Sequence, residues 1–357
     1  MGVSLLLLRL QITAKKIDKL FQRYTVNILT MKVLSALFLV FTGALAASRT
    51  SPPPGALVVS KTPTSGQYGT IQAAVNALSA TSTSAQSIFI YQGTYNEQVR
   101  IPARKAVLSI YGYTADISSY SGNTVTISYS MGADVAGNNE LSATVQSRSA
   151  GLKMYNIIVK NTRGKGVQAL ALSAYADKQG FYGCTFIGYQ DTILANVGYQ
   201  VYGKCYIEGA TDFIFGQTAR ALFSQCVIRV SGDGWVTANG RDSNSNPSYY
   251  LIDKSSIAAA SGYNGVGKIY LGRPWRNYAR VVVQRTVLSN VVNSAGWSQW
   301  SPSSPNTDHV SFQEYGNTGD GASGDRASFS SRLSGPVIPS SILDGDMSWV
   351  DTNYVYQ

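Results

Sequence analysis

The chain has 357 residues, 44% of them hydrophobic and only 13% charged, a balance that supplies a sizeable core and excludes an intrinsically disordered protein. Its formal net charge is +10, but the first 47 residues carry six Lys or Arg and one Asp, which leaves +5 for the remainder. Those remaining basic residues are scattered, so they do not predict a nucleic-acid-binding patch.

The N-terminal region has the pattern of a secretory signal peptide at residues 31–47. Lys32 supplies the positive charge, residues 33–46 form an apolar stretch of 14 residues, and an A-x-A cleavage site lies at residues 44–46. The stretch is too short for a membrane-spanning helix, which needs roughly 20 residues. The pattern predicts a secreted, extracellular protein without a membrane anchor.

Residues 1–30 form a doubtful leader upstream of this signal peptide. They contain an apolar run at residues 5–8 and four basic residues between positions 15 and 23. This pattern does not match the short, positively charged segment that normally begins a signal peptide. We expect translation to begin at Met31, and a genuine long leader or transit peptide is the alternative.

The folded domain is expected to begin after a linker. Residues 48–55 include three consecutive prolines, which neither a helix nor a strand continues through, so a single domain is predicted over residues 56–357. Thr70 is a predicted N-cap of a short helix with one apolar face. The residues of that face are Ile71, Ala74, Val75 and Leu78.

From Ile88 onward the chain consists of short β segments, such as residues 87–91, 107–111 and 125–127, separated by turns. No helical pattern long enough for a βαβ crossover lies between them, which argues against a doubly wound sheet. At this point a parallel solenoid and an antiparallel sandwich both remain open.

A fixed period of 21 residues favours the solenoid. It separates Cys184, Cys205 and Cys226, and it also separates Asp191, Asp212 and Asp233. Such a period predicts that each turn of the chain contributes short strands that stack on those of the next turn. The predicted fold class is therefore an all-β parallel β-helix with a short N-terminal capping helix.

The cysteines are expected to form an inward ladder. In a parallel stack, residues one period apart lie about 4.8 Å from each other, which is within the Cα separation that a disulfide permits. One interpretation is a disulfide between Cys205 and Cys226, which secretion into an oxidising compartment favours. The other is three buried thiols that act as small hydrophobic residues.

The same register places Asp191 and Asp212 on neighbouring turns, with their carboxyl groups about 5 Å apart. Two carboxylates this close resist joint ionisation, so one pKa is expected to rise and the other to stay low. The result is a proton donor beside an ionised nucleophile. The alternative is that Asp191 and Asp212 are two turn aspartates with a structural role. Asp233 lies in a Gly-rich turn and is interpreted as structural.

Two glutamines fall beside this pair. Gln190 precedes Asp191 directly, and Gln168 lies about one turn upstream. Their amides are candidate donors to a developing oxyanion, and a plain amide ladder along the solenoid is the alternative.

Arg273 and Trp275 combine a guanidinium with an indole in a predicted tight turn. Arg273 is a candidate to grip Asp212 bidentately and keep it ionised. Trp275 offers a flat face to a sugar ring, although an Arg packed on a Trp is often plain surface structure.

Six segments occur in order along the chain: residues 93–97, 168–172, 188–192, 212–216, 271–275 and 314–319. Together they resemble the signature blocks of the pectin methylesterases, and the chain is similar to a secreted, fungal-type member. The resemblance covers most of the predicted mature chain.

The resemblance implies a right-handed parallel β-helix that hydrolyses the C6 methyl esters of galacturonate units without a metal or other cofactor. It implies Asp212 as nucleophile and Asp191 as general acid and then base. It also implies further site residues: Gln168 and Gln190 as oxyanion donors, Arg273 to orient Asp212, and Trp275 and Phe215 to line the sugar cleft. Many relatives have Tyr where this chain has Leu194, so one cleft aromatic is absent.

Other function classes remain to be weighed. A Ser-His-Asp hydrolase would need His309, the only histidine, which lies in an apparent surface loop without a nucleophile-elbow motif. A glycoside hydrolase on the same scaffold also uses paired carboxylates. A non-catalytic polysaccharide-binding solenoid would need neither a catalytic triad nor a carboxylate pair. A calcium-dependent lyase would need an acidic cluster with ligand spacing, which the sequence lacks. The expected partner is pectin alone, and the protein is expected to be a monomer.

Overall fold

The computed structural model describes residues 15–16, 18–23, 25 and 47–356. The chain divides into two compact units, residues 1–46 and residues 47–357. All but the last residue of the predicted signal peptide lies outside the described residues. No helix in the described part of the chain is long and apolar enough to cross a membrane.

Three parallel sheets build the second unit. The first sheet has eleven strands: β1 (Leu57–Val59), β2 (Gln86–Ile90), β5 (Leu108–Gly112), β8 (Lys153–Tyr155), β11 (Gln179–Tyr182), β14 (Tyr199–Gly203), β17 (Arg220–Ser224), β20 (Tyr249–Asp253), β23 (Arg280–Gln284), β25 (Ser311–Tyr315) and β26 (Ser330–Arg332). The second has eight: β3 (Gly93–Asn96), β6 (Val125–Tyr129), β9 (Ile158–Asn161), β12 (Thr185–Ile187), β15 (Tyr206–Gly209), β18 (Val227–Val230), β21 (Ser256–Ala259) and β24 (Val287–Leu288). The third has seven: β4 (Val99–Ile101), β7 (Val145–Ser147), β10 (Leu172–Tyr175), β13 (Ile193–Val197), β16 (Ile214–Gly216), β19 (Gly234–Asn239) and β22 (Ile269–Pro274).

Each full coil visits the first, second and third sheets in that order before it returns to the first. The strands of successive coils pair in parallel. In the second sheet Phe186 pairs with Ile207 and Ile207 pairs with Ile228, an offset of 21 residues at each step. The predicted parallel β-helix is confirmed, and the antiparallel sandwich is wrong.

A left-handed residue bends the chain between the first and second sheets in coil after coil. These residues have φ between 47° and 57° and are Asn156, Gly183, Lys204, Gln225, Lys254, Arg285 and Gly316. A single αL residue turns the backbone sharply without a long loop, so a strand of the second sheet can begin two residues after the bend, as β9, β12, β15, β18, β21 and β24 do. The sequence shows no obvious signal for these bends, because most of them carry long polar side chains rather than glycine.

Helix α1 (Ile71–Ala77) lies near the start of the domain, as predicted. The Oγ1 of Thr70 accepts a hydrogen bond from the backbone N–H of Ala73 at 3.2 Å. Glu97 adds a second cap that the sequence did not reveal, because its carboxylate accepts from the N–H groups of Ile71 and Gln72 at 2.8 and 2.9 Å. The apolar face of α1 joins the main core, so the helix packs on the first coils of the solenoid.

Within residues 47–356, the remaining helical segments are short. They are α2 (Ala133–Ala136), α3 (Asn139–Ser142) and three 3₁₀ helices at Asp320–Ala322, Pro339–Leu343 and Thr352–Tyr354. Helices α2 and α3 lie between β6 and β7, and α3 brings one residue to the candidate site.

Aromatic rings and thiols stack along the interior. The ring of Tyr202 lies between those of Phe181 and Phe223, at centroid distances of 4.9 and 4.5 Å. The three cysteines are buried free thiols. The Sγ of Cys205 contacts the carbonyl of Phe181 at 3.3 Å, and that of Cys226 contacts the carbonyl of Tyr202 at 3.2 Å. The disulfide interpretation is therefore wrong: each thiol hydrogen-bonds a carbonyl of the preceding coil.

The C-terminal segment covers the outer face of the first sheet. Its apolar residues Ile342, Leu343, Val350, Tyr354 and Val355 pack with outward-facing strand residues that include Val201, Leu222, Leu251 and Val282. The segment lies across successive strands, because those strands expose apolar side chains outward as well as inward.

Candidate active site

The two predicted catalytic aspartates occupy equivalent positions on neighbouring coils, at the edge of the third sheet where its strands begin. Asp191 lies two residues before β13 and Asp212 two residues before β16, and Ile193 pairs with Ile214. The backbone N–H of Asp191 donates to the carbonyl of Thr211 at 3.0 Å. The predicted register therefore brings the two aspartates together.

Arg273 holds Asp212 through two parallel hydrogen bonds. Its Nε donates to Oδ1 at 2.9 Å and its Nη2 donates to Oδ2 at 2.6 Å. This is the bidentate geometry in which a guanidinium best stabilises an ionised carboxylate. The predicted contact is confirmed, but Arg273 lies in strand β22 rather than in a tight turn.

Two tryptophans that the sequence did not single out fix the Arg273 guanidinium. Its central carbon lies 3.6 Å from the ring centroid of Trp235 and 4.2 Å from that of Trp300. Trp275 packs near Phe215 instead, with 6.2 Å between ring centroids. Cation–π contacts of this kind hold the guanidinium in place for Asp212.

The position of Trp235 explains why Asp233 is not part of the carboxylate pair. In the third sheet Ile214 pairs with Thr237, so this coil is two residues longer than the 21-residue period. Trp235, and not Asp233, occupies the place that corresponds to Asp212. Asp233 is exposed and accepts a hydrogen bond from the hydroxyl of Tyr263 at 2.8 Å, in agreement with its structural interpretation.

Asn139, at the start of α3, contacts the other aspartate. Its Nδ2 donates to Oδ2 of Asp191 at 2.9 Å. The sequence carries no signal for this contact, because 52 residues separate the two partners. Asp191 thus receives one neutral hydrogen bond, whereas Asp212 receives two from a charged group.

Burial raises the pKa of both carboxyl groups, and repulsion by Asp212 adds to the rise at Asp191. Only 6% of Asp191 and 5% of Asp212 is exposed. Burial, and then the charge of Asp212, raise the pKa of Asp191 well above its ordinary value, with Arg273 and Asn139 opposing. Burial also raises the pKa of Asp212, although Arg273 opposes it. The expected rise at one aspartate is found, and the expectation that the other pKa stays low is wrong, because desolvation acts on both.

The two predicted glutamines lie on neighbouring coils beside the aspartates. The backbone N–H of Ala169, next to Gln168, donates to the carbonyl of Gln190 at 3.1 Å. Both side chains are half-buried, and Gln190 lines a cavity of about 460 Å³ with Tyr189 and Thr211. No hydrogen bond from either amide to another described residue occurs, so both are free to donate to a ligand.

An apolar surface continues from the aspartates across the outer face of the third sheet. Leu194 pairs with Phe215, and Phe215 pairs with Ala238. These side chains form one cluster, with Trp275 and Trp300 packed against it. Leu194 thus contributes an aliphatic side chain to the floor of this surface.

His309 gives no support for a Ser-His-Asp triad. It is exposed, and its ring stacks on that of Tyr278 at a centroid distance of 4.5 Å. Within residues 47–356, no group of three or more His, Cys, Asp or Glu side chains is arranged to hold a metal ion.

A parallel β-helix with a buried carboxylate pair, one member of which binds an arginine, beside an aromatic surface is typical of β-helical carbohydrate-active enzymes. Residues 56–333 match the family model described as Pectinesterase, and the chain belongs to the pectinesterase family. The predicted reaction, hydrolysis of the methyl esters of pectin, is confirmed by this membership.

Similar proteins cover nearly the full length of the domain. A pectinesterase of Aspergillus niger is 52% identical over 318 residues, which are 87% of this chain and 96% of that protein. A pectinesterase of Aspergillus aculeatus is 51% identical, over 90% of this chain and 98% of that one. The crystal structure of a pectin methylesterase from Aspergillus niger has a TM-score of 0.81 and 42% identity, and covers 86% of this chain and all of that one.

Proposed function

We propose that this pectinesterase acts with Asp212 as nucleophile, Asp191 as general acid and base, and Gln168 and Gln190 as oxyanion donors. The observation that carries the proposal is the asymmetry of the pair. Both carboxylate oxygens of Asp212 accept a hydrogen bond from the guanidinium of Arg273, whereas only one oxygen of Asp191 accepts a hydrogen bond from a described residue, through the side-chain amide of Asn139. The first environment favours an ionised nucleophile, and the second favours a carboxyl group that keeps its proton.

In the first half of the reaction, an oxygen of Asp212 attacks the ester carbonyl carbon at C6. The carbonyl oxygen becomes an anion that the glutamine amides stabilise by donating hydrogen bonds. When the tetrahedral intermediate collapses, Asp191 gives its proton to the departing methoxide oxygen, which leaves as methanol. The product of this half is an anhydride between Asp212 and the galacturonate acyl group.

In the second half, the now ionised Asp191 takes a proton from a water molecule. The water oxygen attacks the C6 carbonyl carbon of the anhydride, and the bond to Asp212 breaks. This releases the free uronic acid, which loses its remaining proton to solvent, restores the carboxylate of Asp212 and leaves Asp191 protonated for the next cycle. Arg273 and its two tryptophans keep Asp212 in place throughout.

The raised pKa of Asp191 makes a prediction about pH dependence. The acid role needs the protonated form, so kcat/KM is expected to fall as pH rises through the pKa of Asp191. The hydrogen bond from Asn139 favours the ionised form. Asn139→Ala should therefore raise this pKa further and move the alkaline limb of the kcat/KM profile to higher pH.

Asn138→Ala is the matched control for that experiment. Asn138 caps α3 by accepting from the N–H of Leu141 at 2.9 Å, and its side chain makes no contact with Asp191 that the structure records. It is expected to leave the alkaline limb in place. An alkaline limb that stays unchanged or moves to lower pH in Asn139→Ala would contradict the assignment of Asp191.

We further propose that residues 31–47 are removed as a signal peptide and that a monomeric catalytic domain over 56–357 acts on pectin outside the cell. The family match from residue 56 and strand β1 from Leu57 support this boundary. In the proposed linker, Arg49 pairs with Thr114 through two backbone hydrogen bonds of 2.9 and 3.0 Å. The linker is therefore held against the domain.

N-terminal sequencing of the protein secreted into the culture medium tests this boundary. The expected mature chain begins at or near Ser48. A mature start upstream of Met31 would contradict both the signal peptide and the proposed translation start.

A further inference from the structure

A second cavity, of about 580 Å³, lies where the third sheet passes into the first. Arg241, Asn244, Tyr278, Arg280 and His309 are among its lining residues, and we call it the arginine pocket. Arg241 follows β19 and Arg280 begins β23. The proposed reaction uses none of these residues.

The two arginines of this pocket lack an acidic partner among the described residues. Six other arginines of the domain do form ion pairs with carboxylates: Arg148 with Glu140, Arg163 with Asp134, Arg220 with Asp344, Arg273 with Asp212, Arg285 with Asp253 and Arg326 with Glu314. The nearby carboxylates of Asp242 and Asp308 accept instead from the amides of Asn246 and Asn277. Neither arginine is therefore paired directly with a carboxylate of the described residues, and the charge of Asp242 reaches Arg241 without an ion-pair contact.

Backbone carbonyls hold both guanidinium groups in fixed positions. Arg241 donates to the carbonyls of Asn244, Asn246 and Tyr278 at 2.6, 2.8 and 3.2 Å, and only 6% of it is exposed. Arg280 donates through Nε to Ser248 and through Nη2 to Pro247. Its Nη1 makes no hydrogen bond to a described residue and is free for a ligand. A preorganised, partly desolvated cation of this kind binds anions well.

The two charges also destabilise each other. Burial, and then the charge of Arg241, lower the pKa of Arg280 to about 10. An anion in the pocket would relieve both effects, because it restores solvation and neutralises the repulsion. His309 on the exposed wall adds a further donor, held by its stacking on Tyr278.

The pocket adjoins the aromatic surface of the candidate active site. Gly240, directly before Arg241, is covered by the indole of Trp275, since a Cβ at this position would lie 2.6 Å from a Trp275 ring carbon. Trp275 in turn packs near Phe215. A polymer that lies across the aromatic surface therefore passes close to the arginine pocket.

From this geometry we propose that the arginine pocket binds the carboxylate of a de-esterified galacturonate unit of the pectin chain. The inference rests on the proposed function, because the reaction converts neutral ester groups into carboxylates on the same polymer. The pocket would then hold a de-esterified stretch while esterified units occupy the catalytic position.

Calorimetric titration with a fully de-esterified oligogalacturonate tests this proposal, since that probe has no ester to hydrolyse. Arg280→Gln is expected to weaken binding by about tenfold, the scale of one lost charged hydrogen bond. Arg280→Lys keeps the charge and should retain most of the affinity. Arg332→Gln, an exposed position on β26, makes the same charge change elsewhere and should bind as the wild type does.

Wild-type affinity in Arg280→Gln, or an equal loss in Arg332→Gln, would overturn the proposal. If Arg280→Gln does not fold, His309→Ala tests the exposed wall of the pocket. Weaker binding of the oligogalacturonate by His309→Ala supports the proposal, and unchanged binding overturns it. Methanol release from highly methylated pectin reports separately on the catalytic site. It should stay at the wild-type level in Arg332→Gln, whereas a wild-type enzyme that releases no methanol would count against the proposed function itself.

Discussion

Asp212→Asn is expected to reduce methanol release from highly methylated pectin by roughly four orders of magnitude, the scale on which acyl-transfer enzymes respond to loss of a catalytic group. The neutral amide is not a nucleophile, and it accepts only one of the two hydrogen bonds that Arg273 donates to the carboxylate. The measurement is the initial rate of methanol release, with reducing ends and pectin binding followed in parallel.

Asp233→Asn is the matched control for this variant. It makes the same chemical change one period further along the chain, at an exposed side chain that hydrogen-bonds Tyr263. We expect it to keep wild-type turnover. Lost turnover with retained pectin binding in Asp212→Asn supports the mechanism, and unchanged methanol release would refute the nucleophile assignment.

The same assays separate the rival enzyme classes. New reducing ends in place of methanol would indicate a glycoside hydrolase. Complete loss of ester hydrolysis in a folded His309→Ala protein would revive a serine hydrolase. We expect the wild-type protein to release methanol without cleaving the polymer chain. We expect His309→Ala to hydrolyse highly methylated pectin at the normal rate.

Gln190→Ala and Gln168→Ala are each expected to lower kcat by about 10² to 10³, which corresponds to the loss of one oxyanion donor. The effect should fall on kcat more than on KM, because the hydrogen bond strengthens only as the carbonyl oxygen becomes an anion. Thermal stability should change little, since neither amide bonds to another described residue of the enzyme.

Gln313→Ala provides the control for the glutamine variants. Gln313 is also half-buried, but it lies in β25 of the first sheet. It should retain the kcat of the wild type. A rise in KM with unchanged kcat in Gln168→Ala or Gln190→Ala would show that the amides bind the substrate in its ground state and do not stabilise the oxyanion.

The 21-residue period was enough to predict the stacking of coils and the meeting of Asp191 with Asp212. In a parallel stack, sequence spacing translates directly into vertical position, and no loop geometry is needed. The same reasoning failed one coil later, where two extra residues put Trp235 at the place that the period assigned to Asp233. Periodicity is thus informative only while the coil length stays constant.

The sequence by itself determined the solenoid, the position of helix α1, the aspartate pair, the flanking glutamines and the arginine that holds Asp212. Each of these depends on a local motif or on a constant spacing between coils. Only the tertiary structure decided that Trp235 and Trp300 enclose Arg273, that Asn139 contacts Asp191 and that the thiols stay unpaired. Those contacts depend on how side chains from distant segments converge, and burial, which raises the pKa of both aspartates, exists only once the chain has folded.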